Sequence, residues 1–113
     1  MNYSVEERYN AVVITLKGKA MGGPDGKDFR EKVLELKENG KKNIVVDLSK
    51  TNFMNSSGLG ILISALTTMR NAGGDLRLAN VADRIQSLLV ITKLITVFKH
   101  FESVDEAVSS YDE

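Results

Sequence analysis

The stretch from Ile44 to Gly60 constrains the fold more than any other part of the chain. It opens with the apolar, β-branched run Ile44–Val46, which is typical of a strand buried on both faces of a sheet. It continues into a segment whose apolar residues recur at helical spacing. These residues are Ile61, Leu62, Ala65, Leu66 and Met69. The residues Asn55–Gly58, called the polar turn below, lie between the two segments, so the sequence predicts a strand–loop–helix unit with this turn at the helix N-terminus.

The polar turn has the composition of a helix start that favours negative charge. Backbone N–H groups there lack partners and the helix dipole is positive, so Asn55, Ser56 or Ser57 could each cap the helix. Gly58 and Gly60 fall within the first turn, where each glycine costs the helix about 1 kcal/mol relative to alanine. We expect another backbone segment or a partner to approach closely at these glycines. A phosphate group would also be stabilised at this position.

The rest of the chain supplies the other elements of an α/β domain. The predicted strands are Tyr3–Glu7, Ala11–Lys17, Asn43–Asp47, Asp75–Ala79 and Ile95–Phe98. The first two predicted helices run from about Asp25 to Asn39-Gly40 and from the polar turn to about Asn71. The third covers residues 82–91, and the fourth runs from a capping box at Ser103 through Val108. The first two strands form a hairpin with its turn at Tyr9-Asn10, and Gly18 ends the second strand. Right-handed crossovers make at least the third and fourth strands parallel to the second strand or to each other, and the tail 109–113 frays. The order β-β-α-β-α-β-α-β-α predicts a single domain over residues 1–113, in which a mixed β-sheet packs against about four helices.

Composition excludes several functional classes. Lys and Arg together number 15, as do Asp and Glu, so the net charge gives no bias towards nucleic acid or an acidic membrane. The chain contains no cysteine, and no run approaches the ~20 apolar residues of a membrane span. His100 is the only histidine and has no second histidine at metal-binding spacing. We therefore expect a cytoplasmic, non-enzymatic protein without a cofactor or metal, and without direct contact to nucleic acid or membrane.

The residues around the polar turn carry a family resemblance. The run Asp47-Leu48-Ser49, followed by Phe53-Met54-Asn55-Ser56-Ser57-Gly58-Leu59-Gly60 and later by Gly73-Gly74-Asp75, resembles the STAS domain of bacterial anti-sigma factor antagonists. The resemblance implies a switch protein that binds an anti-sigma factor with serine-kinase activity. It also implies that phosphorylation of the first serine of the motif, Ser56 here, releases that partner, and that a serine phosphatase resets the switch.

The resemblance also implies which residues face the partner. They are Asn55, Ser57, Gly58 and Leu59, in and beside the polar turn. Met21 is a further candidate contact, because an exposed methionine adapts readily to a partner. Phosphorylation would add about −1.5 to −2 charge at Ser56, which a closely packed partner would have to desolvate. The expected mechanism is thus a charge introduced into an interface, with little refolding.

Two positions depart from the family pattern. Asn55 stands where the family usually has aspartate immediately before the phosphorylated serine, and Met21 stands where an acidic residue is common after the second strand. Asp25 could replace the second acid spatially. These departures leave two alternatives open: a STAS scaffold that binds its partner constitutively, and a nucleotide binder that uses the glycine-rich loop 22–26. That loop lacks the G-x-x-x-x-G-K-[ST] phosphate-binding pattern, so a turn before a helix remains the simpler interpretation.

Overall fold

The computed structural model describes residues 2–22 and 26–112. Within these residues the chain forms five strands, four α-helices and a terminal 3-10 turn. The strands are β1 (Asn2–Glu7), β2 (Val12–Ala20), β3 (Asn43–Met54), β4 (Asp75–Ala79) and β5 (His100–Phe101). The helices are α1 (Lys27–Glu38), α2 (Ser56–Asn71), α3 (Asp83–Ile91) and α4 (Val104–Ser109), followed by the 3-10 turn Ser110–Asp112. The element order and the fold class agree with those predicted from the sequence.

The five strands form one mixed sheet in the order β1-β2-β3-β4-β5. β1 pairs with β2 in antiparallel fashion, as predicted for a hairpin, and every later pair is parallel. Alternate side chains of the central strands point to opposite faces. One face carries Ile14, Ile44 and Leu78 and packs against α1, α2 and α3. The other face carries Val13 and Val45 and packs against α4.

The central strands are longer than predicted. β2 continues through Gly18, whose φ of 74° lies in the left-handed region, and it ends only at Ala20. β3 continues through the polar segment after Leu48 to Met54. The two extensions pair with each other, with register shifts on either side of Gly18. The prediction that Gly18 closes β2, and that β3 ends at Asp47, is therefore wrong, because tertiary pairing overrides the polar composition.

The last strand also lies later in the chain than the sequence predicts. Ile95–Phe98 was predicted as a strand, but it forms a turn in which the Val97 N–H donates to the Leu94 carbonyl at 3.0 Å. Pairing with β4 begins only where the Leu78 N–H donates to the Lys99 carbonyl at 2.9 Å. The apolar character of 95–98 instead reflects packing, since the Phe98 side chain lies in the core.

The C-terminal segment is anchored, contrary to the prediction that it frays. The hydroxyl of Tyr111 donates to the Ile44 carbonyl at 2.6 Å, and the Arg77 guanidinium lies 4.0 Å from the centre of the Tyr111 ring. Burial raises the pKa of Tyr111 above its usual range, so this hydroxyl stays a donor. Ser103 caps α4 as predicted, because its side chain accepts from the Glu106 N–H.

None of the helices in the described residues combines the length and the apolar composition that crossing a bilayer requires.

Candidate functional site

The paired ends of β2 and β3 bring the polar turn against the start of the glycine-rich loop. Ala20 pairs with Met54, and the Asn55 N–H donates to the Ala20 carbonyl at 3.4 Å. The chain then turns directly into α2, which begins at Ser56. The unpredicted strand extensions are therefore what fix the position of the polar turn.

Asn55 is the residue that caps α2. Its backbone is extended, with φ −108° and ψ 179°, and its Oδ1 accepts from the Gly58 N–H at 2.8 Å. The Asn55 carbonyl accepts from the Leu59 N–H at 3.0 Å and so closes the first helical turn. Because the cap is supplied by Asn55, neither serine of the polar turn is needed for it.

Ser56 and Ser57 are both exposed at the first two positions of α2. Neither hydroxyl takes part in a hydrogen bond with the described residues. The two serines differ in what lies behind them. A Cβ added at Gly22 would come within 2.5 Å of Ser57 Cβ and 2.7 Å of its carbonyl oxygen, so Ser57 backs onto the loop that follows β2.

The two glycines of the first helical turns serve different purposes. A Cβ at Gly58 would lie 1.9 Å from the Ala20 carbonyl oxygen, a contact that no side chain permits. Gly58 therefore meets the expectation that another backbone segment approaches closely. A Cβ at Gly60 would meet nothing within 4 Å, and the residue is exposed. Packing within the described residues gives no reason for glycine at position 60.

Gly22 and Gly26, at the two ends of the predicted nucleotide loop, also face α2. A Cβ added at Gly22 would clash with Ser57, and a Cβ added at Gly26 would lie 1.9 Å from Ile61 Cδ1. Close helix packing accounts for both glycines without a phosphate. Residues 23–25 of this loop, including Asp25, lie outside the described residues.

The residues expected to contact a partner divide into accessible and buried ones. Met21 is 37 % exposed, Ser57 is exposed and Asn55 is half-buried. Leu59 is only 2 % exposed and belongs to the core, and Gly58 is buried against β2. Their contribution to a binding surface would be to support it from beneath.

Phe53 is a further apolar residue at this edge, and the sequence alone does not identify it as a contact candidate. Phe53, near the end of β3, is 38 % exposed, although it lies between the core residues Leu48 and Met54 along the strand. The signal was a large apolar residue within an otherwise polar segment. We name Met21, Phe53, Ser56, Ser57 and Gly60 together the strand-end surface.

Electrostatics at the strand-end surface favour an added negative charge. The first turn of α2 contains no acidic residue, so no side chain of that turn compensates the positive end of the helix dipole. From α3, Arg84 reaches across and donates to the Asn52 carbonyl at 3.4 Å, which places a cation beside the end of β3. A phosphate on this surface would therefore meet no side-chain anion from the helix that carries it.

Asp47 has a structural role. It is buried within β3 and accepts from the Ser49 N–H and hydroxyl, both at 3.0 Å, and from Asn80 Nδ2 at 2.9 Å. These bonds satisfy the carboxylate where it lies. The described residues contain no cluster of His, Asp and Glu that would hold a metal beside it.

Comparison with known proteins decides the family. The model of the STAS domain matches residues 2–107. The chain belongs to the STAS domain family. A curated relative is the anti-sigma-B factor antagonist of Bacillus subtilis (strain 168), which is 28% identical over 94 residues, covering 83% of this chain and 84% of that protein.

Solved structures of STAS proteins share the fold. An anti-sigma factor antagonist from Mycobacterium paratuberculosis superposes with a TM-score of 0.84 at 18% identity, covering 99% of this chain and 94% of that one. The antagonist SpoIIAA has been solved unphosphorylated, with a TM-score of 0.75, 18% identity and 96% coverage of both chains. Its phosphorylated form from Bacillus gives a TM-score of 0.75 and 20% identity, with coverage of 96% and 98%. At these identities the likeness concerns the fold.

Proposed function

We propose that this protein is an anti-sigma factor antagonist that is switched by phosphorylation of Ser56. Unphosphorylated, it binds an anti-sigma factor with serine-kinase activity through the strand-end surface. Phosphorylated, it releases that partner. The proposal rests on the different roles of two residues in the polar turn. Asn55 caps the helix, which leaves the Ser56 side chain exposed and its hydroxyl without a hydrogen bond to the described residues.

The surroundings favour Ser56 over Ser57 as the modified residue. Ser57 stands against Gly22, so a phosphate there would compete for space with the loop that follows β2. Ser56 is exposed, and it is the first residue of the helix. A kinase must surround the hydroxyl that it modifies, and the more accessible serine meets that need.

The energetics favour a switch that leaves the fold intact. A phosphate at the N-terminus of α2 is stabilised by the helix dipole, by about 0.3–1 kcal/mol at an exposed site. A partner that packs over Ser56 must instead strip water from the phosphate. If this weakens binding by about 3–4 kcal/mol, the affinity falls by two to three orders of magnitude.

Asn55 is compatible with the switch despite the usual aspartate of the family. Its Oδ1 accepts from Gly58 as a carboxylate oxygen would, so the loop is ordered without a charge. The neutral side chain also adds no repulsion to a phosphate on the next residue. We infer that the loop-ordering role, which an amide can fill, is the one that matters here.

The curated relatives also support the proposals on enzymatic activity, localisation and the phosphatase. Curated relatives are named antagonists, which are regulators rather than enzymes, and we propose the same for this chain, in the cytoplasm and without a cofactor. A serine phosphatase would reset the switch by removing the phosphate from Ser56.

The test is a binding titration against the anti-sigma factor kinase of the same host. Ser56→Asp is expected to weaken the affinity at least about a hundredfold, whereas Ser56→Ala should bind like the unmodified protein. Ser57→Asp is the matched control, since it adds the same charge one residue away, and it should weaken binding less. Equal affinities of Ser56→Asp and the unmodified protein would contradict the charge mechanism.

A constitutive STAS scaffold is the second candidate. The observation in its favour is Met21, an exposed apolar residue where the family commonly carries an acid. It predicts that incubation with the kinase and ATP leaves Ser56 unmodified while binding persists. A thermal-shift screen with ATP and GTP tests the nucleotide-binding alternative.

A further inference from the structure

Helix α3 carries apolar side chains on two different sides. Ile85 and Leu89 lie in the core and are 2 % and 1 % exposed. Val90 and Ile91, at the end of the same helix, are 54 % and 78 % exposed. A helix that is apolar all round is normally covered on every side. Packing within the described residues covers only the side of α3 that holds Ile85 and Leu89.

Helix formation does not account for Val90 and Ile91. β-branched side chains lose rotamer freedom in a helix, so they favour it less than the polar residues that usually fill exposed positions. A single exposed apolar residue is ordinary on a protein surface. Here two adjacent ones form a patch on the last turn of the helix, and they line one surface depression of about 480 Å³. The other residues that line it are Asp83, Gln86 and Ser87.

The shape of this exposed side suits a second helix. Ser87 lies at its centre, four residues after Asp83 and four residues before Ile91. A small side chain at a crossing point lets two helix axes approach closely. The Ser87 hydroxyl already donates to the Asp83 carbonyl at 3.0 Å, so a second helix can cover it without leaving the hydroxyl unpaired.

The charges at the two ends of α3 favour a second copy of the same helix in antiparallel orientation. Asp83 lies in the first turn, and Lys93 follows the last turn. Both residues are exposed, and neither forms an ion pair with other described residues. When two copies cross antiparallel at Ser87, Asp83 of each copy lies at the end of the other that carries Ile91 and Lys93. A parallel crossing would instead bring like charges together.

We propose that two copies of this protein associate through the exposed sides of α3, related by a two-fold axis at Ser87. Each copy covers Val90 and Ile91 of the other, and Asp83 pairs with Lys93 at both ends of the interface. One short helix per copy buries less than the roughly 1,200 Å² of a stable interface, so the dimer is weak, with a dissociation constant of about 10–1000 µM. No residue of the strand-end surface belongs to α3, so the inference is independent of the proposed switch.

The test is a dilution series of the ¹⁵N-labelled protein from about 2 mM to about 20 µM, followed by NMR and by sedimentation velocity. The backbone signals of residues 83–93 should shift with concentration. Over the same range the sedimentation coefficient should rise from that of a monomer towards that of a dimer.

Removing one apolar side chain locates the interface. Ile91→Gln keeps a good helix former at the position and should weaken self-association at least about tenfold. Leu34→Gln is the matched control, because Leu34 is also an exposed aliphatic residue on a helix, at 47 % exposure on α1. This control should associate like the unmodified protein.

Exchanging charges tests the antiparallel orientation. Asp83→Lys and Lys93→Asp each place like charges opposite one another at both ends of the interface, so each variant alone should associate at least about threefold more weakly. An equimolar mixture of the two variants restores both pairs of opposite charge and should associate like the unmodified protein.

Three results would overturn the proposal. The first is a protein that stays monomeric throughout the dilution series. The second is equal self-association of the Ile91→Gln and Leu34→Gln variants. The third is a mixture of the two charge variants that associates no more tightly than either variant alone.

Discussion

The inward and outward sides of the first two turns of α2 differ sharply, although they share one short sequence. On the inward side, Gly58 lies against the Ala20 carbonyl, Leu59 is in the core and Asn55 caps the helix. On the outward side, Ser56 forms no hydrogen bond with the described residues, and a Cβ at Gly60 would meet nothing within 4 Å.

The difference teaches that structural and functional demands can be separated residue by residue within one motif. Each inward residue has a specific contact that a substitution would break, so its effect on folding should be large. Each outward residue is free of such contacts within the described residues, so its effect on folding should be small and any effect on a partner should stand out. The following variants test this separation.

The largest expected effect on stability is that of Gly58→Ala. The added methyl group would stand 1.9 Å from a backbone oxygen, which cannot swing aside as the end of a side chain can. We expect the free energy of unfolding to fall by about 3 kcal/mol, as in severe overpacking. Urea denaturation followed by circular dichroism measures it. A loss below about 1 kcal/mol would mean that β2 and α2 separate easily.

Asn55→Ala should have an intermediate effect. Removing the side chain leaves the Gly58 N–H without its 2.8 Å partner, and the loss of an N-cap costs about 1 kcal/mol. Asn55→Asp is the matched control, because it keeps the acceptor and adds a favourable charge at the positive end of the helix. The same denaturation experiment should show no loss for Asp. Equal losses for both variants would argue against the cap.

Gly60→Ala should affect folding with the opposite sign, and by no more than about 1 kcal/mol. Open space surrounds the added methyl group, and alanine favours a helix by about 1 kcal/mol over glycine. The protein should become slightly more stable. If glycine is present so that a partner can approach, the same variant should bind that partner more weakly. A titration on the stabilised protein would reveal this loss, and unchanged binding would remove Gly60 from the strand-end surface.

The sequence predicts those parts of the fold that local patterns determine. β4 has the predicted bounds, Asp75–Ala79, because a short apolar alternation follows the Gly73-Gly74 stop. The α4 cap at Ser103 also follows from spacing alone. The extension of β3 through Ser49–Asn52 could not be found in this way, since those polar residues have the composition of a loop. Their pairing depends on β2, since Lys17 pairs with Lys50 and Gly18 with Thr51, each 33 residues apart in the chain.

The sequence motif selects residues for the candidate site but does not show which of them are buried. The motif indicated Ser56, Ser57 and their neighbours, yet it gave no reason to separate the buried Leu59 from the exposed Phe53. Burial within one helical turn depends on what packs against it, and here that is the end of β2. For the same reason the sequence alone does not decide which of three residues caps α2. The structure assigns the cap to Asn55.

The most direct test of the central claim is to incubate the protein with the anti-sigma factor kinase of its host and ATP, and to map the phosphate by tandem mass spectrometry. The free energy of unfolding of the purified product is then compared with that of the unmodified protein. The account predicts a single phosphate on Ser56 and a stability that is unchanged or slightly raised. Phosphate on Ser57, no phosphate at full peptide coverage, or a clearly destabilised product would contradict it.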